Sequence, residues 1–147
     1  MTAFDLRYAP PLGLRVTASI VAFIGLLWFA EVTLTGRSVA PMGAALRVLP
    51  LAPLALVHAV GILVHAWGTR LQPVAQAASG WLVLLLGMLL VAAGTDSAFV
   101  QFDRFGWDGL SRGHGFWLGL LSVVQGALGV LLVWSRRPPA AAERADF

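Results

Sequence analysis

Long stretches without a charged residue alternate with short charged segments along this chain. The first apolar stretch follows Arg15 and continues past Glu31, and three further stretches contain no Asp, Glu, Lys or Arg at all. About 20 apolar residues in a helix cover the hydrocarbon core of a bilayer, which is roughly 30 Å thick. The pattern therefore predicts four membrane-spanning helices, at about residues 14–35, 50–69, 75–95 and 113–135.

The composition also indicates a membrane environment. Of the 147 residues, 59% are hydrophobic and only 12% are charged, whereas a soluble domain carries about 25% charged residues. So few charges cannot cover a folded surface in water, and lipid must cover most of it. We expect an all-α polytopic membrane protein: a single bundle of four transmembrane helices with short loops and one interfacial outer loop. The absence of cysteine excludes disulfides and thiolate metal sites.

The segments between the predicted spans differ in character. We expect the N-terminal segment before residue 14 to lie on the membrane surface, residues 36–49 to form a connector, and 136–147 to be a mobile cytoplasmic tail. Thr95–Arg112 mixes three aspartates with four aromatic residues, a composition that favours an interfacial loop or short helix. Residues 38–40 also look like a signal-peptide cleavage site, so a cleaved leader is the alternative to a permanent first helix.

Arginine placement predicts the orientation of the chain. Four spans put both termini on one side, and that side carries six arginines against four on the other. The positive-inside rule assigns the arginine-rich side to the cytoplasm. We therefore expect a cell-membrane protein with both termini in the cytoplasm, and we interpret the net charge of +3 as membrane topology rather than nucleic-acid binding.

Small residues recur along the fourth predicted helix. Small side chains let helices in lipid approach closely, and close packing holds such helices together. We interpret the stripe as a contact seam within the chain; the alternative is a docking face for another subunit or a second copy. Spacings of four, three, four and three place five residues on one face: Gly115, Gly119, Ser122, Gly126 and Gly129.

Two histidines and a glutamine are the polar side chains expected inside the membrane. His58 and His65 are two helical turns apart, so they share a face about 10.5 Å apart along the helix axis. Gln125 falls near the middle of the fourth span. Similar depths for His58 and Gln125 predict an interhelical hydrogen bond, worth about 0.6–2 kcal/mol. The functional alternatives are a proton relay or metal contact at His58 and an ion or proton site that includes Gln125.

Haem b is the cofactor alternative. Such a site usually needs two axial histidines at matching depth on different helices, and no pair among His58, His65 and His114 matches within one chain. Haem would therefore need a ligand supplied by a partner subunit. The run 58–65, with Gly61 between its histidines, resembles the histidine-containing helix of succinate dehydrogenase membrane anchors. That resemblance implies haem or quinone binding at His58 and His65, although the glycine is offset and those anchors usually have three helices.

Acidic residues lie toward the ends of the predicted spans. Glu31 falls in the outer quarter of the first helix, where it either reaches the interface and pairs with Arg37 or Arg47, or marks an ion or proton site. The aspartates of the outer segment are interpreted as solvated, with neighbouring arginines as counterions.

Three functions follow from this pattern. The scarcity of reactive side chains and the short extramembrane segments favour a non-catalytic subunit of a larger membrane complex, without catalytic activity of its own. The alternatives are a haem- or quinone-binding membrane anchor of a respiratory-type oxidoreductase, and a small proton-coupled transporter or channel. The expected partners are the lipid bilayer and either other membrane subunits or further copies of this chain.

Overall fold

The computed structural model describes residues 10–35, 51–67, 73–112 and 114–135, and the side chains of 32, 33, 35, 51, 73–76, 108–112, 114 and 115 are left aside. This part of the chain is helical throughout, apart from short ends, and contains no strand. The four helices are α1 (Leu12–Thr35), α2 (Leu51–Trp67), α3 (Pro73–Arg112) and α4 (His114–Trp134). The expected surface segment up to residue 9, the connector, the tail and the arginines at 37 and 47 lie outside the described residues, and the last residues of that segment, from Leu12, already belong to α1.

The third helix is far longer than the sequence pattern predicts. The sequence pattern predicts an end near Thr95 followed by an interfacial loop or short helix, but the helix continues to Phe105 and, after a break at Gly106, a short helical segment reaches Arg112. Residues 96–105 contain neither glycine nor proline, so nothing in the backbone interrupts the helix there. The helix breaks at Gly106, whose φ of 56° and ψ of −150° are accessible to glycine but not to residues with a side chain, and a short helical segment follows to Arg112. The aspartates and aromatics of this segment are therefore carried on helix rather than on a loop.

The helices α3 and α4 pack against each other in antiparallel directions. Gly87 lies against Gly126, and Gly94 lies against Gly119, so α3 ascends where α4 descends. The contact between α3 and α4 is the most extensive in the described part of the chain. Five residues beyond Gly94, α3 is level with the first residue of α4. It continues past that level only as far as the break at Gly106, because Arg112 and His114 are two residues apart in sequence and their Cα atoms therefore lie within about 7 Å of each other.

The other helices complete an up-down-up-down bundle. His65 near the end of α2 contacts Ser79 near the start of α3, and Arg15 near the start of α1 donates a hydrogen bond to the carbonyl of Ala66 at the end of α2. Among the described residues α1 and α3 do not touch, whereas α2 and α4 do. The facing sides of α2 and α4 therefore form the centre of the bundle, and the start of α1 lies at the same end as the end of α4.

The buried apolar residues form two clusters, one toward each end of the bundle. Small residues dominate, since six of the thirteen are alanines, and this lets the helices pack closely. The cluster toward the Arg15 end contains Ala18, Ala22, Ala59, Ile62, Ala66, Val83, Leu132 and Val133, and the other contains Phe29, Ala55, Leu90, Ala93 and Leu118.

The outer surface of the bundle is apolar. Large side chains such as Phe23, Leu27, Leu85 and Leu131 are more than half exposed, which suits a surrounding of lipid chains rather than water. Three described segments are long and apolar enough to cross a membrane: Leu12–Glu31, Ala77–Trp107 and Phe116–Trp134. The fourth, α2, is shorter: its 17 residues rise about 25 Å.

Candidate functional site

A polar centre lies in the middle of the bundle, between the two apolar clusters. It consists of the side chains of His58 on α2 and Gln125 on α4 with the carbonyls of Ala55 and Val83, and both side chains have no exposed surface. Gln125 Nε2 donates to the Ala55 carbonyl at 2.8 Å and lies 3.4 Å from His58 Nδ1. His58 Nε2 lies 3.1 Å from the Val83 carbonyl. The centre thus joins α2, α3 and α4.

Donor and acceptor chemistry fixes the roles of these atoms. A carbonyl only accepts, so His58 Nε2 must carry the hydrogen that bonds to Val83. The amide nitrogen of Gln125 donates one hydrogen to the Ala55 carbonyl and directs the second toward His58 Nδ1, which therefore accepts. Turning the amide over would set its oxygen against the Ala55 carbonyl, two acceptors facing each other. Both imidazole nitrogens are consequently engaged inside the chain.

Glycines on the surrounding helices make the space for this centre. A Cβ at Gly129 would lie 2.5 Å from His58 Nε2, and a Cβ at Gly87 would lie 3.2 Å from the same atom. A Cβ at Gly25 of α1 would collide with Gln125 Oε1, which is buried and accepts no hydrogen bond from the described residues. Any larger residue at these three positions would occupy volume that the polar side chains now fill.

The small-residue stripe of α4 faces inward. A Cβ at Gly126 would lie 2.5 Å from the Gly87 carbonyl oxygen, and one at Gly119 would lie 2.8 Å from the Gly94 carbonyl oxygen, so the backbones of α3 and α4 are in direct contact. Ser122 is fully buried, and its hydroxyl donates a hydrogen bond to the Leu118 carbonyl at 2.8 Å. Gly129 faces His58 as described above. Gly115 lies outside the described side chains.

The second histidine of α2 occupies a separate environment. His65 is 2% exposed, and its Nδ1 lies 3.4 Å from Ser79 Oγ on α3. A Cβ at Gly80 would lie 3.3 Å from His65 Cε1, so the ring packs closely against α3. His58 and His65 therefore share a helix but not a site, since each contacts a different level of α3. The side chain of His114 lies outside the described part.

The acidic residue of α1 is remote from the polar centre. Glu31 is exposed and borders a surface groove of about 320 Å³ with Ile24, Leu27 and Trp28. It follows Gly25 by six residues, a rise of about 9 Å, and points outward rather than toward Gln125. Glu31 and Gln125 are therefore not brought together. No cluster of three or more His, Cys, Asp or Glu side chains suited to a metal occurs among the described residues.

Two further polar side chains are buried on the outer half of α3. Ser97 is 1% exposed and Gln101, one turn later, is 5% exposed. The sequence pattern predicts an interfacial loop or short helix here and does not indicate that these two side chains are buried. The helical spacing of four would have indicated a shared face if the segment had been read as a helix.

A cluster of polar contacts at the opposite end links α1 to α2. Arg15 Nε donates to the Ala66 carbonyl at 2.8 Å, and its guanidinium carbon lies 4.3 Å from the centre of the Trp67 ring. Trp67 Nε1 in turn donates to Ser19 Oγ at 2.8 Å. Sequence reasoning counted Arg15 only as a topology signal, because nothing in the linear pattern shows which tryptophan an arginine will meet.

Chemically, the polar centre serves to join helices. Its imidazole could become a metal ligand only by losing the hydrogen bond to Val83 and moving away from Gly87 and Gly129, which enclose it. His58 and His65 are both buried within the bundle, so a ligand on another subunit could not approach either ring without separating the helices.

Comparison with protein-family models, with curated protein sequences and with solved structures gives no match for this chain.

Proposed function

We propose that this protein is a four-span integral membrane protein of the cell membrane that acts as a non-catalytic subunit of a larger membrane complex. Both termini would lie in the cytoplasm, as the arginine distribution favours. The short helix α2 can complete a fourth crossing because its neighbours α1, α3 and α4 enclose much of it, and a bilayer thins or flanking residues extend where a span is a few ångströms short.

The aromatic surface on the outer part of α3 carries this proposal. Four large side chains are exposed there: Phe99 is 70% exposed, Phe102 39%, Phe105 56% and Trp107 77%. Phe102 and Trp107 pack edge to face, with ring centres 5.4 Å apart. Exposed apolar patches of this kind mark interaction surfaces, and aromatic residues are enriched where proteins dock.

The position of this surface favours a protein partner. From Phe99 to Phe105, α3 rises past the level of the first residue of α4, and the chain turns back at Gly106 to reach α4, so the aromatic side chains on the outside of this turn stay exposed. The aromatics alternate with the exposed charges of Asp103 and Arg104, an arrangement that suits an apolar contact with a polar rim. A membrane subunit with an extramembrane helix or domain could cover both kinds of side chain at once.

The use of the internal polar residues also supports a structural role. Contacts within the chain occupy the polar groups of His58, Gln125 and Ser122. The imidazole of His58 therefore has no free nitrogen with which to bind iron or pass on a proton. A proton path would in addition need Glu31 to communicate with Gln125, and the two face different surroundings. The haem or quinone anchor and the proton-coupled transporter therefore find less support than the subunit role.

The test is co-purification of the full-length chain from its own membranes in mild detergent. A photocrosslinking residue at Phe99 is expected to attach to one protein partner. The same residue at Leu85, which is 62% exposed on the same helix but faces the membrane interior, is expected to attach only to lipid. The partner should co-purify with the wild type in a fixed stoichiometry. The double variant Phe99→Ser with Trp107→Ser should lose this partner, while its helicity and thermal unfolding stay unchanged.

Two results would contradict the subunit role. One is a chain that purifies alone, with lipid as the sole crosslinked product at both positions. The other is a partner that remains bound, in the same stoichiometry, after both aromatic side chains are removed. Crosslinking of Phe99 to a second copy of this chain would replace the larger complex with a homo-oligomer.

A further inference from the structure

Contacts with α2 hold the guanidinium of Arg15 in place near the start of α1. Its Nε donates to the Ala66 carbonyl, and its guanidinium carbon lies over the Trp67 ring, 4.3 Å from the ring centre. Trp67 is itself fixed, because its indole nitrogen donates to Ser19. Two long side chains thus lose their rotational freedom before any ligand arrives, which lowers the entropic cost of binding one.

The Arg15 guanidinium is already arranged to bind an anion. It is held by Ala66 and Trp67 and is half-buried, and its two terminal NH₂ groups donate to no group in the described part of the chain. Arginine offers five N–H donors in a planar fork that matches phosphate oxygens. What is lacking is an acceptor with negative charge.

No described carboxylate can fill that place. Glu31 follows Arg15 on α1 by 16 residues, a rise of about 24 Å, and the exposed or half-buried aspartates 96 and 103 lie on the outer half of α3, at the same far end of the bundle. In the sequence, arginines 70, 136 and 137 follow the ends of α2 and α4 by no more than three residues, and no acidic residue stands in those intervals. An external anion would therefore meet attraction without competition from these acids.

The exposed face of α2 that ends at Trp67 is apolar along its length. Val57, Val60, Val64 and Trp67 are exposed along one face of α2, at spacings of three, four and three. A groove of about 410 Å³ between α2 and α3 borders that face, and its lining includes Gly61 and Leu82. The absence of a side chain at Gly61 deepens the groove, which suits an acyl chain lying along α2.

We propose that Arg15 and Trp67 form a binding site for the phosphate of an anionic phospholipid, with an acyl chain along the valine face of α2. The free NH₂ groups of Arg15 donate to the phosphate oxygens, and Trp67 supports the guanidinium from the opposite face. The lipid covers the exposed face of α2, the shortest helix, and joins it to the start of α1. This site is independent of any protein partner.

The test is native mass spectrometry of the full-length protein, delipidated in detergent and titrated with phosphatidylglycerol or phosphatidylcholine. We expect one phosphatidylglycerol to be retained in preference to phosphatidylcholine. Arg15→Gln should weaken phosphatidylglycerol binding by roughly fivefold, the effect of about 1 kcal/mol for one arginine near an anionic lipid surface, and should abolish the preference. Arg15→Lys, which keeps the charge without the fork, should lose less.

Arg104→Gln is the matched control, because it removes the same charge from an exposed position on the outer half of α3. It should leave the phosphatidylglycerol preference intact. Circular dichroism establishes that each variant is folded, and Arg15→Lys carries the test if Arg15→Gln is not. Equal weakening by Arg15→Gln and Arg104→Gln, or an unchanged preference in both Arg15 variants, would overturn the proposal. Displacement of the lipid by inorganic phosphate would assign the site to free phosphate instead.

Discussion

Replacing Gly129 with alanine is expected to destabilise the bundle through its contact with His58. The new methyl group would lie 2.5 Å from His58 Nε2 and 2.7 Å from His58 Cε1, whereas ordinary contacts begin at 3.4 Å. The shortfall of about 0.9 Å, from 3.4 Å less 2.5 Å, must be relieved by movement of the ring or of α4. The ring cannot move freely, because Val83, Gln125 and Gly87 surround it.

The expected cost follows from two contributions. Adding a methyl group to a closely packed interior costs about 1–3 kcal/mol. If the ring shifts, the hydrogen bond to Val83 weakens as well, and buried hydrogen bonds between membrane helices contribute about 0.6 kcal/mol on average. The favourable change in helix propensity from glycine to alanine offsets up to about 1 kcal/mol. A net loss of about 1–2 kcal/mol in the free energy of unfolding is therefore expected.

A double-mutant cycle isolates the contact. Unfolding in detergent, followed by circular dichroism, is measured for the wild type, Gly129→Ala, His58→Ala and the double variant. Without the imidazole, the alanine at 129 should cost little or even stabilise, because its methyl group enters the vacated space. Gly13→Ala is the control, since a Cβ at Gly13 meets nothing within 4 Å. An equal cost for Gly129→Ala in both backgrounds, or no cost in either, would refute the reasoning.

Three further predictions use the same unfolding measurement. Gly126→Ala should cost about 1–3 kcal/mol, because its methyl group would meet a carbonyl oxygen of α3 at 2.5 Å rather than a movable side chain. A Gly126→Ala variant as stable as the wild type would contradict the direct backbone contact. Gly106→Ala should lose about 1 kcal/mol or more, because φ of 56° with ψ of −150° is a backbone region used almost only by glycine, and Gly106→Asn should lose a similar amount; wild-type stability in both variants would contradict the backbone argument. Ser19→Ala and Trp67→Phe each remove one end of the same hydrogen bond, so the double variant should lose no more than the larger single loss, and additive losses would exclude the bond.

The matching depths of His58 and Gln125 could be read from the sequence, and the two side chains do meet. Both fall near the middle of an uncharged stretch, and polar side chains in lipid seek one another. The backbone partners could not be read in the same way. Which carbonyls accept from Gln125 and His58 depends on the rotation of three helices about their axes, which no single apolar stretch specifies.

For residues 96–112 the sequence pattern leaves an interfacial loop or a short helix open, and the structure has helix on both sides of Gly106. Charges and aromatics favour the headgroup region, and that preference does not distinguish a loop from a helix. Depth in the membrane and backbone conformation are separate properties, and only glycine or proline would have ended the helix before Gly106. The sequence contained that information in the absence of both residues from 96 to 105.

By itself, the sequence determined that this protein is helical and suited to lipid, because a chain so poor in charge cannot cover its surface with polar groups. It also determined where small residues would permit close approach. Only the tertiary structure decided which glycines enclose His58, that α4 uses its stripe against α3, and that Arg15 lies over Trp67 with terminal donors that no described residue uses. Those outcomes depend on the rotation and register of helices against one another, which are set by the sum of many weak contacts between residues distant in sequence.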